Sequence, residues 1–226
     1  MCGRYVLKES PKILAEHFQV SGGLDLSPSW NIAPSLRICT ITADERDARH
    51  FRSMRWGLIP SWAKDATIGN KLANARGETV AEKPSFRSAF KYRRCIIPAS
   101  GFYEWKAEQG IKQPWFISLV SGEPMAFAGL WERWHPGDGE LVESCCIITT
   151  EANELMRPVH DRMPVILDAG QWREWLSPNM KQADMLLPMI NSHGSETMQA
   201  WPVTRELNRV GLRDDAGLTL PVELIK

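Results

Sequence analysis

The period of the hydrophobic positions changes several times along the chain. Ile13, Leu14 and Phe18 recur at helical spacing behind Ser10-Pro11, a cap followed by proline at the first helical position, which predicts a helix over 11–19. Gly22-Gly23 and the Pro28/Pro34 region then break the chain into a loop. Period-two patterns follow at 36–42 and 49–56, where Phe51, Ser53 and Arg55 alternate with Arg52, Met54 and Trp56. Residues 85–94 read as a short basic helix with Phe86, Ala89 and Phe90 on one face. Strand signals then crowd together at 95–99, 102–106, 115–120, 125–131 and 141–150. Helices are expected at 151–156, at 168–176 with Asp168 as cap, and from 181 to 185. Strands outnumber helices, and proline or glycine marks nearly every junction. The pattern predicts an α+β fold in one domain, 1–226: a curved, mostly antiparallel sheet or partial β-barrel with peripheral helices.

Composition narrows the class. The 226 residues are 43% hydrophobic and 24% charged, enough to bury a sizeable core. No apolar run approaches the roughly 20 residues needed to cross a bilayer, and Met1-Cys2-Gly3-Arg4-Tyr5 lacks a signal-peptide layout, so a cytoplasmic protein with no membrane partner is expected. Cys2, Cys39, Cys95, Cys145 and Cys146 include no Cys-x-x-Cys pair. Neither a disulfide framework nor a metal site is therefore expected, and no cofactor is called for. The Cys145-Cys146 pair sits in an apolar strand and reads as buried. The net charge of zero conceals an asymmetry: residues 1–113 carry 18 Lys/Arg and 11 Asp/Glu, residues 114–226 carry 9 and 16. A basic face for a polyanion and a merely uneven surface both fit these counts.

The chemistry begins at Cys2. Removal of Met1 would leave an α-amine of pKa about 7.7–8.0 beside a thiol of about 8.5. Such an aminothiol condenses with an aldehyde to an imine, which the thiol closes to a thiazolidine. Five further segments accompany it: Asn31-Ile32-Ala33-Pro34; Arg55-Trp56-Gly57-Leu58-Ile59-Pro60-Ser61-Trp62; Asn74-Ala75-Arg76-Gly77-Glu78-Thr79; 94–106 with Phe102-Tyr103-Glu104-Trp105; and His160-Asp161-Arg162-Met163-Pro164-Val165. In this order, with Trp201-Pro202-Val203-Thr204 behind them, they resemble the SRAP (SOS response-associated peptidase) family over nearly the whole chain.

The resemblance implies a DNA-damage protein. Such a protein binds single-stranded DNA as a monomer and captures the ring-opened aldehyde of an abasic site, shielding the lesion. By matching positions, Cys2 is the covalent residue, with Asn74, Glu104 and His160 around it, and Arg4, Arg76 and Arg162 hold phosphates. Turnover is expected to be slow or single, lyase-like, with an autopeptidase step that removes Met1.

Each residue also has a plainer reading. Glu104, among aromatics, is a desolvated acid of raised pKa or a glutamate left outside the core. His160 carries a proton-transferring imidazole of ordinary pKa about 6.5 or ends a structural turn. Asn74 orients Cys2 or ties down a loop. Trp56, Trp62 and Trp105 stack on unpaired bases or pack inside, as Trp115, Trp131, Trp172 and Trp175 are expected to do. Arg87, Lys91, Arg93 and Arg94 extend a phosphate strip or solubilise a helix. Gly77 is expected to loosen its turn. Two rival functions stand beside capture: an N-terminal-cysteine thiol peptidase, and a non-catalytic reader of single strands in which Cys2 is incidental.

Overall fold

A computed structural model describes residues 2–108, 110–135, 137, 139–209 and 213–224. Met1, on whose removal the aminothiol depends, lies outside the described residues. No helix among them is long and apolar enough to cross a membrane.

The strand pattern becomes two sheets. In the larger, β4 (Arg37–Ala43) pairs antiparallel with β5 (Arg49–Trp56) and with β7 (Arg94–Ala99), and the two-residue β2 (Val20–Ser21) runs parallel to the start of β5. Next to β7 come β10 (Met125–Trp134) and β11 (Val142–Glu151), again antiparallel. A parallel contact of β11 with β5, Ser144 opposite Arg55 and Cys145 opposite Trp56, joins the two ends of this run into a five-stranded barrel. Closure explains why these strands read as nearly unbroken apolar runs: Cys145, Cys146, Ile147 and Ile148 are all buried, because both faces of β11 are covered. Two short strands extend the edges of β11. β6 (Asn74–Arg76) lies parallel to it, and β12 (Arg162–Pro164) lies antiparallel.

The second sheet runs β13 (Met198–Pro202), β9 (Ile111–Leu119), β8 (Gly101–Glu108), β1 (Arg4–Leu7), β3 (Ser29–Ile32), antiparallel throughout. The amino-terminal strand is thus an interior strand, bonded on both sides. The α+β class and partial barrel expected from the sequence are what the chain forms.

The helices are peripheral and short. α1 (Pro11–Phe18) starts on the Ser10 hydroxyl, which accepts from the Ile13 amide, and ends at Gln19 in the left-handed region. α2 (Arg87–Tyr92) buries Phe90 and Ala89 but stops before Arg94, which belongs to β7. Asp168 and Gln171 make a reciprocal capping box that starts a 3-10 turn leading into α3 (Trp172–Leu176). The expected helix near 181–185 is α4 (Ala183–Leu186). The helix expected at 151–156 does not form. Glu151 still belongs to β11, and beyond it Asn153 caps the Met156 amide at 3.0 Å, but Pro158 disfavours helical backbone before it and only turns result.

Two other expectations are corrected. Gly77 does not loosen its turn, since a Cβ there would stand 2.3 Å from Ile190 Cγ2; glycine is required by close packing. Arg94 is not part of a phosphate strip. It is buried, and its guanidinium donates to the carbonyls of Phe90, Lys91, Trp175, Ser177 and Met180. Burial without a carboxylate partner brings its pKa down to about 10. Trp172 and Trp175 are core as expected. Trp131 is half-buried, with the guanidinium groups of Arg52 and Arg133 each 5.1 Å from its ring centroid.

Candidate active site

The site forms where the two sheets meet. Cys2 leads into β1, which pairs with β8 so that Arg4 faces Tyr103. Glu104, next along β8, lies opposite Trp115. From the other sheet, Asn74 and Arg76 share one face of β6, with Ala75 turned into the core. The His160-Asp161 turn leads into β12 on the opposite edge of β11. Four segments far apart in sequence are thereby brought together.

Asn74 Nδ2 donates to the Cys2 carbonyl at 2.9 Å. The Asn74 amide oxygen is buried and has no hydrogen-bond partner among the described residues. In the chain that begins with Met1, Cys2 is 0% exposed. Burial pushes its thiol well above the ordinary range, and the neighbouring Glu104 carboxylate adds to the shift. Glu104 is only 2% exposed; desolvation raises its pKa, against the opposing pull of His160. The exposed glutamate allowed by the sequence is excluded: this is a buried carboxyl inclined to hold its proton.

Glu104 and His160 line one cavity of about 520 Å³, with Arg4, Trp105, Ala107, Lys112, Leu207 and Asn208. Arg4 Nη1 donates to Asn31 Oδ1 and to the Leu207 carbonyl, each at 3.0 Å. Trp105 Nε1 donates to Asn208 Oδ1 at 2.7 Å, and Asn208 Nδ2 in turn donates to the Lys112 carbonyl at 2.9 Å. Asn208 and Lys112 carry no signal near the motifs, and only the docking of the carboxy-terminal segment brings Asn208 to the wall. Asn31 and Glu78 lay inside the quoted motifs, yet their roles as partners of Arg4 and Arg162 depend on contacts across sheets.

The remaining candidates divide. Arg76 is exposed. Trp62 is 58% exposed, its indole nitrogen 3.4 Å from the Pro84 carbonyl. Trp56 is excluded as a base-stacking residue: it is 0% exposed, donates to the Ala73 carbonyl at 2.9 Å, and meets the Tyr5 ring edge-on. Arg162 is not a free phosphate ligand. Its guanidinium is mostly buried and holds both oxygens of Glu78, at 2.6 and 3.0 Å, and the Thr149 carbonyl at 2.6 Å. Those bonds hold Glu78 below the usual carboxylate range. Among the described residues, no group of three or more His, Cys, Asp and Glu is placed to hold a metal ion.

Comparison with known proteins gives a consistent picture. A family model described as SOS response associated peptidase (SRAP) matches residues 1–210. The chain is 44% identical over 212 residues to the abasic site processing protein YoqW of Bacillus subtilis (strain 168), a match covering 92% of this chain and 94% of that one. It is 32% identical over 187 residues to the abasic site processing protein YedK of Escherichia coli (strain K12), covering 78% and 79%. With the abasic site processing protein HMCES of Xenopus tropicalis the identity is 32% over 211 residues, covering 80% of this chain and 62% of the relative. Among solved structures, a Bacteroides thetaiotaomicron protein superposes with a TM-score of 0.88 at 26% identity, covering 98% of this chain and all of that one.

Proposed function

The chain belongs to the SRAP family, and from that premise we propose that it processes abasic sites in DNA by joining Cys2 covalently to the lesion within a single strand. The observation that carries the reading is the placement of Cys2. Its carbonyl is held by Asn74, and its thiol lies beside Glu104, which lines the cavity with His160.

The chemistry follows from these positions. Loss of Met1 turns the Cys2 amide nitrogen into an amine. The amine adds to the sugar aldehyde, and the carbinolamine loses water to give an imine. The thiol then adds across the C=N bond, sulfur to carbon and its proton to nitrogen, closing the thiazolidine. One water leaves and no oxidant is needed. A thiol held protonated by burial suits this order, with nitrogen attacking first. Glu104, inclined to keep its proton, supplies the acid for ring opening and for departure of water. His160 moves a proton at the same cavity. The unmatched Asn74 amide oxygen is an acceptor for the newly freed amine.

Arg4 and Arg76 serve the phosphates, and Trp105 and Trp62 offer aromatic surface for unpaired bases. With the aldehyde consumed, β-elimination at the lesion is blocked.

The decisive experiment mixes the Met1-free protein with a single-stranded oligonucleotide carrying one abasic site, then denatures the mixture. A denaturation-resistant adduct is expected, absent in Cys2→Ala and in protein retaining Met1. No adduct from the wild type overturns the reading. Amide cleavage of peptides without DNA would favour the thiol peptidase, and unchanged behaviour in Cys2→Ala would favour the non-catalytic reader.

A further inference from the structure

The ring of His160 has unusual company at one atom. The main-chain N–H of Arg162 donates to Nδ1 at 2.9 Å, and Asp161 Oδ1 stands 2.8 Å from the same Nδ1. An imidazole nitrogen has a single in-plane position, holding either a lone pair or a proton. The two neighbours therefore cannot be satisfied together. A backbone N–H can only donate, so it requires a lone pair on Nδ1. A carboxylate can only accept, so it requires a proton there.

We infer that Asp161 and the Arg162 amide form a two-sided socket that assigns the ring proton of His160. In the neutral ring, Nδ1 accepts from Arg162 and the proton sits on Nε2. In the charged ring, Nδ1–H turns to Asp161, and the Arg162 amide gives up its bond. His160 can thus exist in both proton states, each with a partner ready. That suits a residue that gives a proton in one step and takes one in another. The inference rests on the reading of His160 as a proton carrier in abasic-site capture, which it deepens. Asp161 is a positioning residue, acting only through His160.

The socket is rigid on one side and free on the other. Arg162 opens β12, opposite Glu151 of β11, and its side chain is clamped by Glu78 and Thr149. Its amide is therefore fixed in space. The Asp161 side chain is 86% exposed and can turn away when the ring is neutral. Among the described residues, the charged groups that share the cavity of His160 are Glu104 from β8, Arg4 from β1 and Lys112 from β9. Glu104 favours the charged ring when ionised, whereas the two cations oppose it.

The test uses nitrogen chemical shifts of the His160 ring across a pH titration of the Met1-free protein, with no DNA present. The neutral ring is expected to carry its proton on Nε2. Asp161→Asn should keep that tautomer but lower the titration midpoint by roughly 0.2–0.7 pH unit, the scale of an exposed ion pair. Asp184→Asn on α4, as a control of equal charge change, should leave the midpoint in place. Glu78→Gln should weaken the clamp and mix the tautomers, and Glu78→Asp should restore part of the order. A neutral ring protonated on Nδ1, or an Asp161→Asn midpoint equal to the wild type, overturns the socket.

Adduct formation is then followed against pH, where the limb that follows His160 should move down in Asp161→Asn by the same amount. A limb that stays in place while the spectra move overturns the link to capture. The spectra need no lesion, so they judge the socket even if capture fails. An adduct with the wrong tautomer refutes the socket alone.

Discussion

Arg4 lies over the indole of Trp105, its guanidinium carbon 5.6 Å from the ring centroid, and each of the two is anchored on the carboxy-terminal segment. Arg4 bonds the Leu207 carbonyl, and Trp105 bonds Asn208. A cation stacked on an aromatic ring thus lines the cavity, a pairing of groups suited to the phosphates and bases of a single strand.

If that pair grips DNA, Trp105→Ala should weaken binding of an undamaged oligonucleotide by about 1–3 kcal/mol, the usual worth of one stacked base. Asn208→Ala should cost less, since it frees the indole without deleting it. Fluorescence anisotropy at fixed salt measures both. Equal affinity in wild type and Trp105→Ala would remove this face from the interface.

Glu104 gives a prediction in pH. Burial raises its pKa in the folded protein, so the folded state holds this proton after the unfolded chain, near its ordinary value of about 4.3, has lost it. Stability from this group therefore falls as pH rises from that value toward the raised one. Glu104→Gln removes the dependence, so its denaturant midpoint should gain on the wild type as pH rises through this window. Adduct formation should slow by about 100-fold or more. A constant stability difference across the window would contradict the assignment.

Arg94 is a structural cation, holding the ends of α2 and α3 through five backbone carbonyls. Arg94→Ala should lower stability by about 3 kcal/mol or more, because those buried acceptors lose their donor. Arg94→Lys should recover only part, as an ammonium has three donors and no planar fork. Thermal melts decide the ranking, and a melt of Arg94→Ala within a degree of wild type would refute it.

Gly77→Ala should destabilise by about 1–3 kcal/mol through the collision with Ile190. The double variant with Ile190→Ala should be less unstable than the sum of the two single changes. Simple additivity in a double-mutant cycle would show that the contact is not the cause.

How far the sequence foretold this molecule depended on the range of the interaction. Patterns that act within a few residues were readable: the Ser10 cap, the Asp168 cap and the alternation of β5 each specify a local conformation and produced it. The helix expected at 151–156 failed because Pro158, outside the window, limits the backbone before it. Trp56 and Trp62 flank one motif and look alike in sequence. One is sealed under Tyr5 and Ala73 while the other stands in solvent, and only closure of the barrel separates them. The pairing of Arg162 was hidden for the same reason, since its acidic partner Glu78 comes 84 residues earlier. The motifs did pick out Cys2, Asn74, Glu104 and His160, and the fold brings these four segments to one place. It also adds Asn208, from a segment with no recognisable chemistry.

The interior position of β1 has a consequence in time. Strand β1 needs β8 and β3 as neighbours, and the cavity wall needs residue 208. A ribosome working at about 5–20 residues per second leaves roughly 10–40 s between the emergence of Cys2 and the arrival of that last piece. Until β8 has emerged, roughly the first half of that interval, the nascent strand lacks a neighbour and is a loose thread; afterwards it is woven into the fabric. Under the proposed chemistry the amino end is therefore best tailored during synthesis, before the Cys2 side chain is closed off.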